Sequence, residues 1–545
     1  MKSATKPEFR QTVQATATPR TDLPVGFKGT PCPPAFNLAA YAIGIAARAA
    51  PDKAALLVVS DPSGAPDEVW SYRKLENHCL KAAGLLARLG LAPGDRIVIQ
   101  LPNTSTYALL FFGAIAGGFV PIPASEQLTD PEVRYLVEDS GAKVLVSAHR
   151  SALFGLDGVG HVDPDEVAAA LNKAAPLPYR ATRADEPAYL IYTSGTTSKP
   201  KGVLHAHRAG WGRRPMYRGW YGITSDDIVA HAGAFNWTYT LGTGLIDPWA
   251  NAATSVVFTG TKTPDAWPRF LATQSASMFA AVPGLYRQIL KYAERDLAAV
   301  DTLRHGLMAG ESPPPDLIPH WSAVMRRPLY EALGMSEMST YISTGPQTPS
   351  RPGYAGRPQP GRCVAILPID GDGCEATTPL PPGVEGLLAV HRTDPGLMLG
   401  YWNRPQEEAE VLRGEWFIGG DLAMMNDEGY VAHRGRANDI MKALGYRVSP
   451  QEVEAALADH PSIAEIACAE VAVRADVSVI GAFIVPKDPT RPLDTAALDA
   501  FAETVLAGYK RPRLWTTIEA LPRTANGKIK RAALSAFAKP DGQAL

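Results

Sequence analysis

The chain has 545 residues, of which 46% are hydrophobic, so it is long enough to form more than one domain around a large core. A formal net charge of −2 gives no broad basic surface of the kind that attracts nucleic acid or an anionic membrane. We therefore expect a globular protein with no nucleic-acid partner. The most apolar segment, Tyr107 to Pro121, is too short to span a bilayer, so membrane insertion is not expected.

The cysteines are scattered, odd in number and never spaced as CxxC. This pattern favours a reducing, cytoplasmic location and argues against a structural zinc site. The amino terminus is polar and lacks the apolar stretch of a signal peptide, so residues 1–28 are expected to form a flexible segment. The five cysteines are Cys32, Cys79, Cys363, Cys374 and Cys468.

Helical and strand patterns alternate along the first half of the chain. Leu75–Leu89 and Tyr107–Gly117 have helical periodicity, whereas Asp95–Gln100 and Lys143–Ser147 are typical of strands. Such alternation predicts a parallel sheet with crossover helices, and thus an α/β fold. The apolar segments that continue the pattern are Ser255–Thr259 and Ser277–Val282.

A smaller α+β unit is predicted at the carboxy-terminal end. Ser449-Pro450-Gln451-Glu452 is a capping box with proline at the first helical position, so a helix should begin there. Two strand patterns, Ile463–Val473 and Ser478–Val485, precede a helical pattern over Asp494–Leu506. About 105 residues suffice for an independent domain, so we expect domains at residues 29–437 and 438–545.

The run from Thr193 to Gly202 is Thr-Ser-Gly-Thr-Thr-Ser-Lys-Pro-Lys-Gly, a composition that suits a polyphosphate. It follows the apolar segment Ala188 to Tyr192, so we expect it at the end of a buried strand, where open α/β sheets bind ligands. The P-loop pattern GxxxxGK[ST] is not met, because Pro200 occupies the place of the second glycine. An ordinary surface turn is the alternative.

Five further motifs follow in the order Ala309-Gly310-Glu311-Ser312-Pro313, Gly334-Met335-Ser336-Glu337, Gly419-Gly420-Asp421, Gly435-Arg436-Ala437-Asn438-Asp439 and Pro522-Arg523-Thr524-Ala525-Asn526-Gly527-Lys528. Together with the loop, they resemble the acyl-adenylate-forming superfamily over nearly the whole chain. That superfamily includes acyl-CoA synthetases, the adenylation domains of peptide synthetases, and luciferases. The resemblance implies a large domain of two β-α sheet subdomains and a distorted β-barrel, followed by a small mobile α+β domain.

The resemblance also implies a site that binds ATP and Mg²⁺ and activates a carboxylic acid. Lys528 corresponds to the lysine that bridges the substrate carboxylate and the α-phosphate, with a surface lysine in a basic tail as the alternative. Glu337 and Thr196 correspond to catalytic residues that also contact Mg²⁺. The positions assigned to ATP and coenzyme A are Thr193, Ser194, Gly195, Thr197, Lys201, Gly310, Glu311, Ser312, Ser336, Asp421, Arg436 and Gly445.

Individual roles follow from the same resemblance. Asp421 would accept hydrogen bonds from the ribose hydroxyls, with the capping of a turn as the alternative. Arg436 would contact ribose or phosphate, with a structural ion pair as the alternative. The backbone from Gly310 to Ser312 would line the adenine, and Gly445 would let the pantetheine arm of coenzyme A pass close to the backbone.

Two positions depart from the family pattern. Leu333 stands where an adenine-facing aromatic residue is usual, so aliphatic contact would replace stacking. Asn438 occupies the position where the family usually has an aspartate that serves as the hinge between the two domains. Because asparagine tolerates unusual backbone angles, we still expect the small domain to rotate there.

The acid pocket is the least constrained part of the site. Phe235 to Tyr239, followed by Asp247-Pro248-Trp249, resembles medium-chain acyl-CoA synthetases and indicates an apolar acyl group. Gly334 stands where acetate-activating relatives carry tryptophan, which would leave room for a larger acid. A medium-chain fatty acid or a benzoate-like aromatic acid fits. Trp237 and Tyr239 are the pocket candidates, with a role as core aromatic residues as the alternative.

Three functions compete. The first is an ATP-dependent acid–CoA ligase that resembles medium-chain acyl-CoA and benzoate–CoA ligases, favoured because no carrier-domain motif follows Lys528. The second is a stand-alone adenylation enzyme that loads a carrier protein. The third is a non-catalytic nucleotide-binding relative, which the retention of Lys528, Glu337 and Lys201 disfavours. The oligomeric state is open, and a homodimer is one of the alternatives.

Overall fold

The computed structural model of the protein describes residues 26–148, 150–153, 155–193, 200–370, 375–437, 441–443, 446–474, 477–523 and 529–538. The helices are α1 (Ile45–Ala49), α2 (Tyr72–Arg88), α3 (Ser105–Gly117), α4 (Asp130–Ser140), α5 (Pro164–Lys173), α6 (Arg214–Met216), α7 (Thr238–Leu241), α8 (Asp247–Ala250), α9 (Ala266–Thr273), α10 (Pro283–Tyr292), α11 (Leu317–Met325), α12 (Pro405–Glu410), α13 (Pro450–Leu457), α14 (Thr495–Val505) and α15 (Arg531–Leu534).

The strands of the first half are β1 (Ala54–Val59), β2 (Glu68–Ser71), β3 (Arg96–Gln100), β4 (Val120–Ala124), β5 (Val144–Val146), β6 (Gly160–Val162), β7 (Pro187–Thr193), β8 (Lys201–Ala206), β9 (Ile228–His231), β10 (Thr254–Phe258) and β11 (Met278–Ala281). Those that follow are β12 (His305–Ala309), β13 (Leu329–Met335), β14 (Ser339–Ser343), β15 (Arg357–Pro358), β16 (Val364–Leu367), β17 (Glu385–His391), β18 (Gly400–Tyr401), β19 (Leu412–Arg413), β20 (Trp416–Met425), β21 (Val431–Arg436), β22 (Met441–Ala443), β23 (Tyr446–Val448), β24 (Ile463–Arg474), β25 (Val477–Pro486) and β26 (Leu514–Thr517).

Two mostly parallel sheets form the larger part of the described chain. The first has nine strands in the order β15-β14-β13-β12-β11-β9-β10-β1-β2, and its central strands from β13 to β1 are parallel. The second has the order β4-β3-β5-β6 and is parallel throughout. The predicted α/β architecture is confirmed, because the strands predicted from apolar segments are β3, β5, β10 and β11 of these sheets.

Two antiparallel sheets complete the large domain. Strands β18, β8 and β7 form one, and β16, β17, β20 and β19, with β21 beside β20, form the other. The second corresponds to the distorted barrel that the resemblance implies. Buried side chains of both antiparallel sheets and of β13 and β14 share one apolar cluster, which includes Val203, Met335, Tyr401 and Phe417. This cluster lies beneath the predicted nucleotide site.

The predicted carboxy-terminal elements are also present. The predicted strands are β24 and β25, and the predicted helix is α14, which begins after the N-cap Asp494. Helix α13 begins at Pro450 as expected, but the capping-box interpretation of Ser449 is wrong. The Ser449 hydroxyl instead donates to the Arg434 carbonyl at 2.6 Å, because β21 lies close enough to compete for it.

The most apolar segment of the sequence is an interior helix. Every residue of α3 except Thr106 is buried, and its apolar side chains belong to the main core cluster. A helix that is apolar on all faces is expected when other elements surround it. Within the described ranges, no helix has both the length and the hydropathy that a membrane span requires.

Candidate functional site

The predicted phosphate loop connects two antiparallel strands. Thr193 at the end of β7 lies opposite Lys201 at the start of β8, and the Thr193 hydroxyl donates to the Lys201 carbonyl at 3.5 Å. The expected position at the end of a buried strand is confirmed, because β7 is buried over residues 188–191. Its sheet, however, is the three-stranded antiparallel one and not an open α/β sheet. The loop positions Ser194, Gly195, Thr196 and Thr197 lie outside the described residues.

Both ends of the loop are attached to neighbouring elements. The Tyr135 hydroxyl on α4 donates to the Pro200 carbonyl at 2.7 Å. The Tyr192 hydroxyl donates to Asp139 Oδ2 at 2.7 Å, and Arg404 Nη2 donates to Oδ1 of the same carboxylate at 2.6 Å. These contacts fix the separation and direction of the two strand ends.

Lys201 lies against an aromatic ring and a carboxylate. Its Nζ is 3.8 Å from the centroid of the Tyr401 ring and 3.4 Å from Glu407 Oε2 on α12. A cation this close to a ring face gains a favourable cation–π interaction. The ammonium group is therefore held near the junction of β8 and β18.

The motif residues Ser336 and Glu337 occupy the turn between β13 and β14. The Tyr401 hydroxyl donates to Glu337 Oε1 at 2.7 Å, and the Met398 amide donates to the Glu337 carbonyl at 2.8 Å. His205 Nε2 donates to the Ser336 carbonyl at 2.9 Å. Burial lowers the pKa of His205 to about 4, so the imidazole is neutral at physiological pH. Two surrounding segments, β8 and residues 398–401, thus hold the turn.

A buried ion pair supports the strand that follows this turn. Arg213 donates to both Asp247 oxygens at 2.7 and 2.6 Å, and its Nη1 donates to Ser339 Oγ at 2.6 Å. The Tyr221 hydroxyl donates to Asp247 Oδ2 at 2.7 Å. Ser339 has a φ of +74°, a strained value for a residue other than glycine. The hydrogen bond from Arg213 helps to fix this strained residue.

A second buried ion pair, Arg362–Asp394, also contacts the start of β14. Arg362 Nη1 contacts both Asp394 oxygens at 2.9 and 2.8 Å, and the two side chains are 0% and 1% exposed. Its Nη2 donates to the Gly212 carbonyl at 2.9 Å, next to Arg213, and approaches the Thr340 carbonyl at 3.4 Å. The two pairs therefore hold the start of β14 together.

Gly334 has a structural role, and its role as space for a larger acid stays a prediction. A Cβ at this position would lie 2.6 Å from the Ser339 carbonyl oxygen and 2.7 Å from Thr340 Cα. The register of β13 and β14 shifts between Leu333 and Gly334, which brings the two backbones together. The glycine is needed for this close approach. Leu333 is partly buried and packs against the apolar cluster beneath the site, so its contact with adenine stays a prediction.

Asp421 and Arg436 face each other across β20 and β21. Arg436 Nε lies 3.1 Å from Asp421 Oδ1, and His433 Nε2 donates to the same oxygen at 3.1 Å. Arg436 Nη1 also donates to the Gly419 carbonyl at 2.8 Å. The ion pair that was the alternative for Arg436 is thus present. The predicted contacts of both residues with the nucleotide stay predictions.

The predicted adenine segment begins with a constrained glycine. Gly310 follows β12 with a φ of +107°, and a Cβ there would lie 2.6 Å from Trp237 Cη2. Glu311 Oε1 accepts from the Gly284 amide at 3.2 Å, at the first turn of α10. Ser312 is exposed. The backbone of this segment thus lies directly beside the indole of Trp237.

The two predicted pocket aromatics contact each other edge to face, with ring centroids 5.3 Å apart. Tyr239 is 4% exposed, and its hydroxyl donates to the Ala281 and Leu307 carbonyls at 3.3 and 3.2 Å. Trp237 is only partly buried. The segment that precedes this pair, Ala234–Asn236, lines an open cleft together with the chain after β3 and the chain after β4. Contact with the acid stays a prediction for both aromatics.

Several residues of the site had no signal in the sequence. Tyr401 and Arg213 belong to no motif, and only their contacts with Glu337, Lys201 and Ser339 reveal them. Asp247 belongs to a segment that indicated the acid pocket, and its ion pair with Arg213 was not predicted. Glu331 shares a face of β13 with Leu333, because alternate strand residues point the same way. Desolvation raises the pKa of its carboxyl to about 8. Three predicted residues, Lys528, Asn438 and Gly445, lie outside the described residues.

Comparison with known proteins places the chain in a family. The model for the AMP-binding enzyme matches residues 45–402, and the model for the AMP-binding enzyme C-terminal domain matches residues 452–528. The chain therefore belongs to the AMP-binding enzyme family, with a large amino-terminal domain and a smaller carboxy-terminal domain.

Two relatives and one solved structure extend this result. The chain is 33% identical over 491 residues to benzoate–CoA ligase of Thauera aromatica, which covers 85% of this chain and 90% of that protein. It is 28% identical over 497 residues to a mitochondrial acyl-coenzyme A synthetase of Homo sapiens, and the match covers 86% of this chain and 84% of that protein. The crystal structure of a benzoate CoA ligase from Burkholderia xenovorans LB400 has a TM-score of 0.80 and 27% identity, covering 92% of this chain and 100% of that chain.

Asp247→Asn tests the buried ion pair. It leaves the Arg213 guanidinium buried without a counter-charge, so we expect a loss of about 3–5 kcal/mol in the free energy of unfolding. Denaturant unfolding provides the measurement. Asp52→Asn is the matched control, because its pair with Arg73 is largely exposed and should change stability little. Equal losses in the two variants would contradict the assignment.

Glu331→Gln tests the raised carboxyl pKa. An unfolded glutamate ionises near pH 4.5, whereas the folded carboxyl stays protonated to about pH 8, so stability should fall as pH rises between these values. We therefore expect the variant to gain thermal stability relative to the wild type at pH 8 and to gain less at pH 5. Glu410→Gln, on the exposed face of α12, is the control. A stability difference independent of pH would refute the claim.

Proposed function

We propose that the chain is an ATP-dependent carboxylate–CoA ligase. The observation that carries this proposal is that Lys201 and Glu337 both contact Tyr401, where β8, β18 and the β13–β14 turn meet. Lys201 contacts the ring face, and Glu337 accepts a hydrogen bond from the hydroxyl. A lysine suits the phosphates of a nucleotide, and a carboxylate suits the metal ion that accompanies them. The 33% sequence identity between this chain and a benzoate–CoA ligase supports the same reaction class.

Mg²⁺ would be held mainly by Glu337. Among the residues that the structure describes, there is no group of three or more side chains that could ligate a metal. An ion that arrives with ATP needs only one or two protein carboxylates, because phosphate and water oxygens fill its other positions. Thr196 is the second predicted ligand. When bound, the ion would neutralise charge on the triphosphate.

The proposed reaction has two steps. In the first, a carboxylate oxygen of the acid attacks the α-phosphorus of ATP, and the bond to pyrophosphate breaks. In the second, the thiol sulfur of coenzyme A attacks the acyl carbonyl, the thiol proton passes to solvent, and AMP leaves. Lys528 would lower the repulsion between the two anions in the first step. By resemblance, rotation at Asn438 then brings the Gly445 region to the site.

The proposed nucleotide contacts divide the site into three parts. Thr193 and Lys201, with the loop between them, would bind the phosphates. Asp421 would accept from the ribose, since its carboxylate is fixed by His433 and Arg436. The Gly310–Ser312 backbone and Leu333 would contact the adenine.

The proposed acid is a medium-chain fatty acid or a benzoate-like aromatic acid. Trp237, beside Gly310 and in edge-to-face contact with Tyr239, would form an apolar wall of its pocket. The Thauera aromatica relative is named for benzoate and the human relative for acyl groups, so both alternatives stay in the proposal. A carrier protein in place of coenzyme A is the second candidate acceptor.

Lys528→Ala tests the division of labour between the two steps. We expect pyrophosphate release from ATP and acid to fall by about 100-fold or more, because the first step loses its bridging cation. Thioester formation from a supplied acyl-adenylate and coenzyme A should be largely retained. Lys530→Ala, two residues away in the same basic segment, is the control. An equal loss of activity in both steps would contradict the role proposed for Lys528.

A screen for AMP release tests substrate and acceptor together. Straight-chain, branched and aromatic acids are each incubated with ATP, with coenzyme A and without it. We expect turnover with medium-chain or aromatic acids and little with acetate. Replacing coenzyme A with candidate carrier proteins tests the second acceptor, and an absence of AMP release with every acid and acceptor would reject the ligase assignment.

A further inference from the structure

Tyr401 contacts two groups that the proposed function uses. Its ring face lies 3.8 Å from Lys201 Nζ, and its hydroxyl donates to Glu337 Oε1 at 2.7 Å. Lys201 belongs to the phosphate-loop motif, and Glu337 belongs to the β13–β14 turn, which lies more than a hundred residues later in the sequence. One side chain therefore connects the lysine and the carboxylate of two separate motifs.

The position of Tyr401 is strongly constrained. Strand β18 pairs with β8 so that Tyr401 lies opposite Val203, two residues from Lys201. On either side, the Leu399 amide donates to the Leu204 carbonyl at 2.7 Å, and the Trp402 amide donates to the Gly202 carbonyl at 2.8 Å. The ring is 6% exposed and packs in the apolar cluster beneath the site. The residue is therefore a rigid support for both partners.

Each contact affects its partner in a definite way. A hydrogen bond to a carboxylate is charge-assisted and directional, so the Tyr401 hydroxyl restricts the rotation of Glu337. Burial, followed by the charge of Glu337, raises the pKa of Tyr401, so the phenol remains a donor at neutral pH. The ring face attracts the Lys201 ammonium, whose other charged partner is Glu407, with its Oε2 at 3.4 Å from Nζ.

We propose that Tyr401 is a positioning residue that orients the Glu337 carboxylate toward the Mg²⁺ of the bound nucleotide and holds the Lys201 ammonium in place for its phosphates. This inference rests on the proposed function and deepens it. The two contacts are separable, because the hydroxyl serves Glu337 and the ring face serves Lys201.

Two substitutions separate the contacts. Tyr401→Phe removes the hydroxyl and keeps a ring face, whereas Tyr401→Leu removes both. The readout is the equilibrium dissociation constant of ATP, measured with excess Mg²⁺ and again with EDTA. We expect Tyr401→Phe to weaken binding about tenfold with Mg²⁺ and less than about twofold in EDTA. Tyr401→Leu should weaken binding under both conditions.

The control is Tyr430→Phe. Tyr430 also donates a hydroxyl hydrogen bond, to the Pro349 carbonyl at 3.0 Å, and also lies beside cationic side chains, those of Arg351 and Arg357. It has no contact with Lys201 or Glu337 among those that the structure describes. We expect it to bind ATP as the wild type does under both conditions.

A double-mutant cycle isolates the pair. In the Glu337→Gln background, Tyr401→Phe should have much less effect on Mg²⁺-dependent binding than in the wild type, because its partner carboxylate is already gone. Additive effects would contradict the inference. So would equal losses with and without Mg²⁺, or a Tyr401→Phe chain that no longer folds, since removing one hydroxyl from a positioning residue should leave the core intact. If the wild type itself binds no ATP, the proposed function fails instead.

Discussion

A carboxylate that binds a metal ion beside the phosphates of a nucleotide needs a fixed position, because the carboxylate and the phosphates repel each other and only the shared cation attracts both. Glu337, the proposed metal ligand, has contacts on both its side chain and its backbone that meet this constraint. Tyr401 donates to its carboxylate, Met398 donates to its carbonyl, and His205 donates to the neighbouring Ser336 carbonyl. These partners come from two segments, β8 and residues 398–401, so the geometry of the turn depends on how those segments pack against it.

The packing in turn relies on two buried ion pairs. Arg213–Asp247 and Arg362–Asp394 both reach the first residues of β14, and Arg362 also contacts the Gly212 carbonyl beside Arg213. Buried pairs are poor sources of net stability, because desolvation offsets much of their attraction. Their directional hydrogen bonds nevertheless allow few alternative arrangements. They therefore explain how a strained Ser339 and a glycine-dependent close approach at Gly334 persist next to the predicted metal ligand.

Local patterns in the sequence predicted the helices and strands well, since each depends on periodicity within about ten residues. These patterns failed where a residue's structural neighbours are far away in the sequence. The apolar run before Thr193 could belong to a parallel or an antiparallel sheet, and only its pairing with β8 decides between them. The same limit applies to Gly334, whose close neighbour lies on β14, and to Tyr401, whose partners lie in other motifs. Motif order identified Lys201 and Glu337, but it contained no information about what holds them.

The central claim is that an acid oxygen becomes bonded to the α-phosphorus of ATP beside Glu337 and Lys201. Isotope transfer tests it directly. A carboxylic acid accepted in turnover is labelled with ¹⁸O at both carboxylate oxygens, and the released AMP is analysed by mass spectrometry. The account predicts one ¹⁸O atom in each AMP, left behind when coenzyme A displaces the nucleotide. Unlabelled AMP, or ADP and phosphate as the products, would contradict it.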